Sequence, residues 1–322
     1  MSKVLFIGDL HITDNYVSTH IDYWKECTDF IVRITDEIKT KNITHLIFTG
    51  DLVGLREKNF KQRDSLMFFM MALKKWNELT NGNVYSVIGN HDVGGKTTDF
   101  DLFESVGLIK TTRTLGHNYV DIDNLRVHLI NFGEEYEPIT LGAGDNVAVT
   151  HADIQVTGKT TWWYPSQVRF ELDSMTHWKG IEFIVAGHIH NPSVRMVSTD
   201  IEGKNCDILY LGCPMRPRKG DNWGSVFGVL CTTFEDKPTV IDLVAYKLPE
   251  GVFTQTTDDI DQEEVESMEV TRVEELAAIL NTLSQYKLNS DDDIEGQIKR
   301  FSGVDTEAMN LALEYYEAVK SK

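Results

Sequence analysis

Lys3-Val4-Leu5-Phe6-Ile7-Gly8-Asp9-Leu10-His11 opens the chain with an apolar run that stops at a glycine and then offers a carboxylate and an imidazole. A short apolar run closed by glycine reads as a buried strand whose tip carries chemistry. The device recurs in Thr44-His45-Leu46-Ile47-Phe48-Thr49, closed by Gly50-Asp51, and in Val84-Tyr85-Ser86-Val87-Ile88, closed by Gly89-Asn90-His91-Asp92. Between these runs, residues 21–39 place Ile21, Trp24, Phe30, Ile31, Ile34 and Ile38 at mainly helical spacing, and residues 62–79 do the same with Leu66, Phe69, Met70, Leu73 and Trp76. Strand, helix, strand, helix, strand predicts an α/β layer on a largely parallel sheet.

Further along, strands are predicted at 117–122, 125–131, 146–150, 181–186, 193–198, 206–211, 226–233 and 239–245, with few long helices among them. A second sheet packed on the first follows, giving a four-layer α/β/β/α sandwich with helices outside and a small helical region at the C-terminal end. The domains divide as a catalytic unit over 1–248, an acidic linker over 249–270 and a helical region over 271–322. Thr271-Arg272-Val273-Glu274 has capping-box spacing, and further helix starts fall at Ser290-Asp291 and Asp305-Thr306.

Charge narrows the function. The net charge is −19, and from Pro249 onward the chain holds 18 acidic and 6 basic residues. Nucleic-acid binders usually carry a basic footprint, so any such contact here must come from a local patch, bound metals or a partner chain. No apolar run approaches the roughly 20 residues that span a bilayer, and the first residues lack a secretory pattern. A cytoplasmic location is expected. Cys27, Cys206, Cys213 and Cys231 form no C-x-x-C pair and read as small buried hydrophobes.

Five segments carry the chemistry: Asp9-Leu10-His11, Gly50-Asp51, Gly89-Asn90-His91-Asp92, Thr150-His151 and Gly187-His188-Ile189-His190. Carboxylate, imidazole and carboxamide without thiolate suit borderline-to-hard divalent ions such as Mn²⁺, Fe²⁺ or Zn²⁺. In D-x-H and H-x-H an extended backbone sends both side chains to one side, so both can reach one metal. Two ions about 3.5–4 Å apart need a shared carboxylate, and can activate a water and polarise a phosphoryl oxygen together. Asp51 is the natural bridge. The other histidines (His20, His45, His117, His128 and His177) lack this setting and read as surface or core residues.

The ordered set resembles the calcineurin-like metallophosphoesterases, whose pattern is D-x-H, G-D, G-N-H-[DE], H and G-H-x-H, over roughly residues 3–245. Carried over by position, the resemblance makes Asp9, His11, Asp51 and His190 one metal site, and Asp51, Asn90, His151 and His188 the other. It implies two divalent cations, manganese first, with Mg²⁺, Fe²⁺ or Zn²⁺ as alternatives. His91 becomes the acid that protonates the leaving oxygen, and Asp92 the residue that orients it. Leu55 stands where the protein-phosphatase branch has a phosphate-gripping arginine, and Asp92 where that branch has glutamate.

Within the family, the chain looks like the SbcD-type nuclease subunits that act with an SMC-like ATPase in DNA recombination and repair, including phage forms. Gly187-His188-Ile189-His190-Asn191-Pro192 and Tyr210-Leu211-Gly212-Cys213-Pro214 carry that likeness. The resemblance implies a DNA exo- or endonuclease whose C-terminal helices dock the ATPase. Gly54 departs from members with a histidine at that position, and the short linker leaves no room for their DNA-capping domain. Arg216, Arg218 and Lys219 form the one local basic cluster able to grip a DNA backbone. Trp162-Trp163-Tyr164 suits base stacking or a homodimer interface. A stand-alone phosphodiesterase for a small molecule such as a cyclic nucleotide is the alternative, and a non-catalytic scaffold subunit a further one.

Overall fold

Alternation within the first strand, β1 (Ser2–Ile7), sorts its side chains between two cores. Val4 and Phe6 enter a cluster shared by two sheets, while Leu5 and Ile7 enter one shared with helices. Successive residues of a strand face opposite ways, so one apolar strand with both faces covered needs no polar side. The computed structural model describes residues 1–13, 21–53, 63–92, 99–133, 140–155, 169–171, 180–190, 199–201, 204–216 and 224–252.

The strands that follow are β2 (His45–Phe48), β3 (Val84–Ser86), β4 (Tyr119–Ile122), β5 (Leu125–Ile130), β6 (Asp145–His151), β7 (Asp153–Gln155) and β8 (Arg169–Glu171). They continue with β9 (Phe183–Gly187), β10 (Thr199–Ile201), β11 (Lys204–Tyr210), β12 (Ser225–Thr233) and β13 (Val240–Lys247). The first sheet has the order β13-β12-β1-β2-β3 and the second β10-β11-β9-β6-β5-β4, with β7 and β8 forming a small pair. Within the first, β1, β2 and β3 are parallel; within the second, β5, β6, β9 and β11 are parallel. Antiparallel pairs add β12 and then β13 beside β1 in the first sheet, and close both edges of the second with β4 on β5 and β10 on β11. Val120, Val127, Leu129, Val147, Val149, Phe183 and Val185 meet Val4, Phe6, Ile47 and Val229 between the sheets.

Helices α1 (Tyr23–Lys41), α2 (Arg63–Leu79) and α3 (Asp99–Ser105) cover the outer face of the first sheet, and a short α4 (Thr112–Leu115) precedes β4. Asp22 caps α1 by accepting a hydrogen bond from the Lys25 amide at 2.9 Å, and Asn42 ends it in the left-handed region. Trp76 of α2 is fully buried beside Phe48 and Phe69, and its indole N–H donates to Thr35 of α1 at 2.8 Å. Truncating such a side chain typically costs about 3–5 kcal/mol. The mixed α/β two-sheet sandwich expected from the sequence is therefore present. Its described helices all belong to the first sheet's side or to the lead-in of β4.

Several expectations fall outside the described residues: the strand at 193–198, the aromatic run Trp162-Trp163-Tyr164, most of the acidic linker and the helical region over 271–322. The short elements α3, α4, β7, β8 and β10 were not legible as periodic patterns, being three to seven residues long. Among the described residues no helix is long and apolar enough to cross a membrane.

Candidate metal centre

Parallel strands deliver their carboxyl ends to one edge, and here two sheets do so side by side. The register sets Ile7 beside Phe48 in the first sheet, and His151 beside Gly187 in the second. The residues immediately after these positions are the chemistry-bearing ones. Asp9, His11, Asp51, Asn90, His91, His151, His188 and His190 are drawn from five separate strand ends into one cluster.

Two groups can be distinguished, with Asp51 between them. In one, the rings of His11 and His190 lie 4.7 Å apart. In the other, the Asn90 side-chain oxygen lies 2.9 Å from His151 Nε2 and 3.0 Å from His188 Nδ1. Asp51 Oδ2 is 3.5 Å from His11 Nε2 and 3.2 Å from His151 Nε2. Asp9 is fixed at both oxygens: Thr49 donates to Oδ1 at 2.8 Å and the His188 amide to Oδ2 at 2.7 Å. Asp9, His11, Asp51 and His151 are each at most 2% exposed, whereas Asn90, His91, His188 and His190 are half-buried and line the open side.

Backbone strain is part of this convergence. The extended conformation expected for D-x-H and H-x-H is not what brings these residues together. His11, Asp51 and His188 have φ values of 46°, 48° and 78°. That left-handed region costs a non-glycine residue about 1–3 kcal/mol and persists only where the surroundings enforce it. The enforcement is visible: the amides of Leu10 and His11 both donate to the Asp51 carbonyl, and the Tyr23 hydroxyl donates to the His11 carbonyl. Gly187 shows how little space remains. A Cβ there would stand 2.3 Å from Asp9 Oδ1 and 2.7 Å from Thr49 Oγ1.

His91 stands at the edge of the first group, its Nε2 3.9 Å from Asp51 Oδ2 and its ring 5.1 Å from that of His11, and one ligand atom each of His11, Asp51 and His91 lie within 4.8 Å of one another. Its amide donates to Asp51 Oδ1 at 2.8 Å. Asp92 was expected to orient the His91 ring. Its hydrogen bonds run instead to the backbone: Oδ2 accepts from the amides of Asp51 and Gly89, both at 2.8 Å. Asp92 thus ties two of the strand-end loops together, and any effect on His91 passes through the loop backbone. Burial pushes the Asp92 carboxyl well above the ordinary range, and the nearby Asp51 adds to that.

Arg216 requires a correction. It was expected to contact a DNA backbone, but it is 1% exposed and donates through Nε to Glu26 of α1 at 2.9 Å, with a further contact from its terminal nitrogen. A guanidinium committed to a buried carboxylate is not available to a phosphate. Arg218 and Lys219 lie outside the described residues. Sequence reasoning also missed Thr49, which serves two ligand candidates at once, and Phe132, whose ring lies 6.1 Å from that of His151 and 5.8 Å from that of His188. Neither belongs to a motif with chemical side chains. Of the histidines set aside, the buried His128 faces Asn146, while His45 and His117 stack on Tyr85 and Tyr119.

The electrostatics fit a cation. Burial alone would lower the His151 imidazole, yet Asp51 and Asp9 outweigh it and push the group up to about 10. Burial likewise raises Asp51, but His151, His11 and His91 together hold it far below the ordinary carboxylate range. Burial raises Asp9 against the pull of His151. Two buried carboxylates thus favour a positive charge between them strongly enough to protonate an imidazole. His151 Nδ1 lies 2.8 Å from the Thr49 carbonyl, which fixes that nitrogen as the donor and aims Nε2 at Asp51 and Asn90. His11 Nε2 is buried without a hydrogen-bond partner among the described residues. Burial lowers His188 to about 3, leaving a neutral ring.

A proton consequence follows. Below about pH 10 the His151 ring is charged, so a cation binding at Nε2 must displace a proton. Calorimetry at pH 7 in buffers of different ionisation enthalpy is expected to register release of about one proton for the ion that binds at His151. Affinity should rise about tenfold per pH unit over the neutral range. In the absence of metal, the stability His151 lends is present at neutral pH and is lost as pH rises through its folded value of about 10.

A two-sheet α/β sandwich with this cage at the carboxyl ends of its strands has the equipment of a metal-dependent hydrolase of phosphate esters. A profile of the calcineurin-like phosphoesterase family matches residues 2–192, and the chain belongs to that family. Its members hold two divalent cations at such a site, which polarise the phosphoryl group and activate water. No curated protein matches the chain. Among solved structures it is similar to "Putative 5'-Nucleotidase from Staphylococcus aureus in complex with alpha-ketoglutarate", with 12% identity and a TM-score of 0.40, over 84% of this chain. The match spans only 58% of that structure's length. A hypothetical protein from Thermus thermophilus is similar at 12% identity and a TM-score of 0.43, over 77% of this chain and 100% of that one.

Proposed function

We propose that this phosphoesterase acts on phosphodiesters, and that its substrate is DNA, with the chain serving as the nuclease subunit of an SbcD-type complex. The observation that carries the reading is the strand end Tyr210-Leu211-Gly212-Cys213-Pro214, which resembles the Y-x-G-[ST]-P strand end of the nuclease branch with Cys213 in place of the serine or threonine. It packs directly on the metal centre, with the Gly212 carbonyl 2.2 Å from where a Cβ on Gly8 would stand. The Cys213 amide donates to the His190 carbonyl at 3.0 Å. Leu55 and Asp92, in place of the arginine and glutamate of the protein-phosphatase branch, support a diester over a monoester.

In this reading Asp9, His11, Asp51 and His190 hold one cation, and Asp51, Asn90, His151 and His188 the other, with manganese the first candidate metal. The ions supply Lewis acidity toward the phosphoryl oxygens and an activated water. Asp51 faces both groups, Thr49 fixes Asp9 and His151, and Asp92 locks the loops that carry Asp51 and Asn90. His91, half-buried on the open side, protonates the leaving oxygen. His91→Ala is expected to lower kcat by about 10²–10⁴-fold, with two metals per chain retained by elemental analysis. Unchanged turnover would remove His91 from the mechanism.

The ATPase partner engages through the C-terminal region over 271–322, where the sequence carries apolar residues at helical spacing, and a homodimer is the expected assembly. A second reading has one observation in its favour: the burial of Arg216 removes a cation from the only basic cluster, which favours a small diester such as a cyclic nucleotide. Linear double-stranded DNA with Mn²⁺, assayed with and without an SMC-like ATPase from the same source, tests both. Cleavage that depends on metal and is stimulated by the ATPase is expected. Brisk hydrolysis of a cyclic nucleotide by a chain that leaves DNA intact under both conditions would overturn the nuclease reading.

A further inference from the structure

Cys213 follows the end of β11 and is completely buried. Its Sγ and one ring nitrogen each from His11 and His190 all lie within 4.8 Å of one another. The position is tightly built. Gly212, at a φ of 83°, turns the chain, the Leu211 carbonyl accepts from the Phe227 amide, and the Cys213 amide donates to the His190 carbonyl. Of the other two buried cysteines of the described residues, Cys27 shares the helix-side core with Cys213 but stands in no such donor cluster, and Cys231 lies between the sheets.

Three donors of different kinds surround this point. A thiol is a weak donor and a weak acceptor. His11 Nε2 is buried and makes no hydrogen bond among the described residues, so the ring has a nitrogen free for a metal. What two imidazole nitrogens and a sulfur have in common is affinity for a borderline or soft divalent ion. Metal–sulfur bonds of about 2.3 Å and metal–nitrogen bonds of about 2.0–2.1 Å bring such donors to one ion after small side-chain adjustments.

The geometry points to Cys213 as a sulfur ligand of the ion held by His11 and His190, which makes that position thiophilic. On binding, the metal–sulfur bond forms as the thiol proton leaves to solvent, and no oxidation or reduction is involved. Sulfur favours Zn²⁺, Fe²⁺ or Co²⁺ over Mn²⁺ and Mg²⁺. The second group offers only carboxylate, carboxamide and imidazole, so the two positions differ in preference, and a mixed-metal centre follows. The inference rests on the two-metal reading given above and adds a ligand to it.

Cobalt titration of the chelator-stripped full-length chain tests this. A near-ultraviolet sulfur-to-cobalt charge-transfer band is expected with the first equivalent. It should be absent in Cys213→Ser, which still binds two cobalt ions, and kept in Cys231→Ser. The preference for Zn²⁺ over Mn²⁺ should fall about tenfold or more in Cys213→Ser. Two bound cobalt ions without the band in the native chain, or a band that persists in Cys213→Ser, overturns the proposal and leaves the two-metal reading standing. A chain that binds no cobalt contradicts both. Should Cys213→Ser fail to fold, X-ray absorption on the native zinc-loaded chain decides. A sulfur shell at about 2.3 Å is expected, and nitrogen and oxygen shells alone overturn the assignment.

Discussion

Asp51→Asn is expected to lower phosphodiester hydrolysis on the order of a thousandfold and to reduce the metal content below two ions per chain. The magnitude follows from what the carboxylate does. Its Oδ2 lies within 3.5 Å of both His11 Nε2 and His151 Nε2, so it faces both ligand groups. Asparagine keeps the carbonyl that accepts from the His91 amide but removes the charge. Loss of one preorganised electrostatic contact at a reacting centre costs about 10²–10³ in rate, and here two ions share the contact. The fold should survive, because the Asp51 amide and carbonyl retain their bonds to Asp92, Leu10 and His11. Circular dichroism like that of the native chain together with two bound ions and native turnover would remove Asp51 from its bridging place.

The second large effect is on stability. Arg216→Ala, or Glu26→Ala, is expected to destabilise the chain by about 3–5 kcal/mol, because each leaves a buried partner charge without its counter-ion. The pair joins the first turn of α1 to the loop after β11, the loop that also carries Cys213. A double change to apolar residues of similar volume, Glu26→Leu with Arg216→Met, should recover most of the loss, since two charges no longer need to be desolvated. Denaturant unfolding of the three variants measures this. A single variant as stable as the native chain would show that the pair contributes nothing.

The strand ends were legible because burial on both faces forces unbroken apolar runs, and glycine marks where they stop. β1, β2, β6 and β9 all fall where those runs lie, and the alternation of Val4 and Phe6 against Leu5 and Ile7 fits two covered faces. The way the ligands converge was not legible. Left-handed backbone at His11, Asp51 and His188 leaves no spacing signal, since aspartate and histidine enter that region more readily than most residues but do so only where the surroundings enforce it. It is imposed by hydrogen bonds from other segments. Arg216 was misread for a related reason. Its partner Glu26 lies 190 positions away, and a run of basic residues reads as a solvated patch unless that partner is known. Cys213 looked like an ordinary buried thiol, since only the packing of β11 against β9 and the Asp9 loop sets it beside two histidines.

Thr49 and Asp92 show the same limit at short range. A threonine at a strand end and an aspartate after G-N-H carry no spacing signal for the atoms they bind. Their roles emerge from Thr49 donating to Asp9 while its carbonyl meets His151, and from Asp92 bridging the amides of Asp51 and Gly89. Supporting residues of this kind hold the ligand geometry, and they become visible only once the strand ends stand side by side.

The central claim is that one cluster at the carboxyl edge of the two sheets binds two divalent cations and hydrolyses phosphate esters with them. Titration of the chelator-stripped full-length chain with Mn²⁺, following bound metal and hydrolysis of an activated aryl phosphodiester together, tests it directly. Two ions per chain are expected, with hydrolysis absent before metal is added and complete only when the second position fills. Hydrolysis that persists in the stripped chain, or metal-saturated chains that hold a single ion yet reach full turnover, would contradict it.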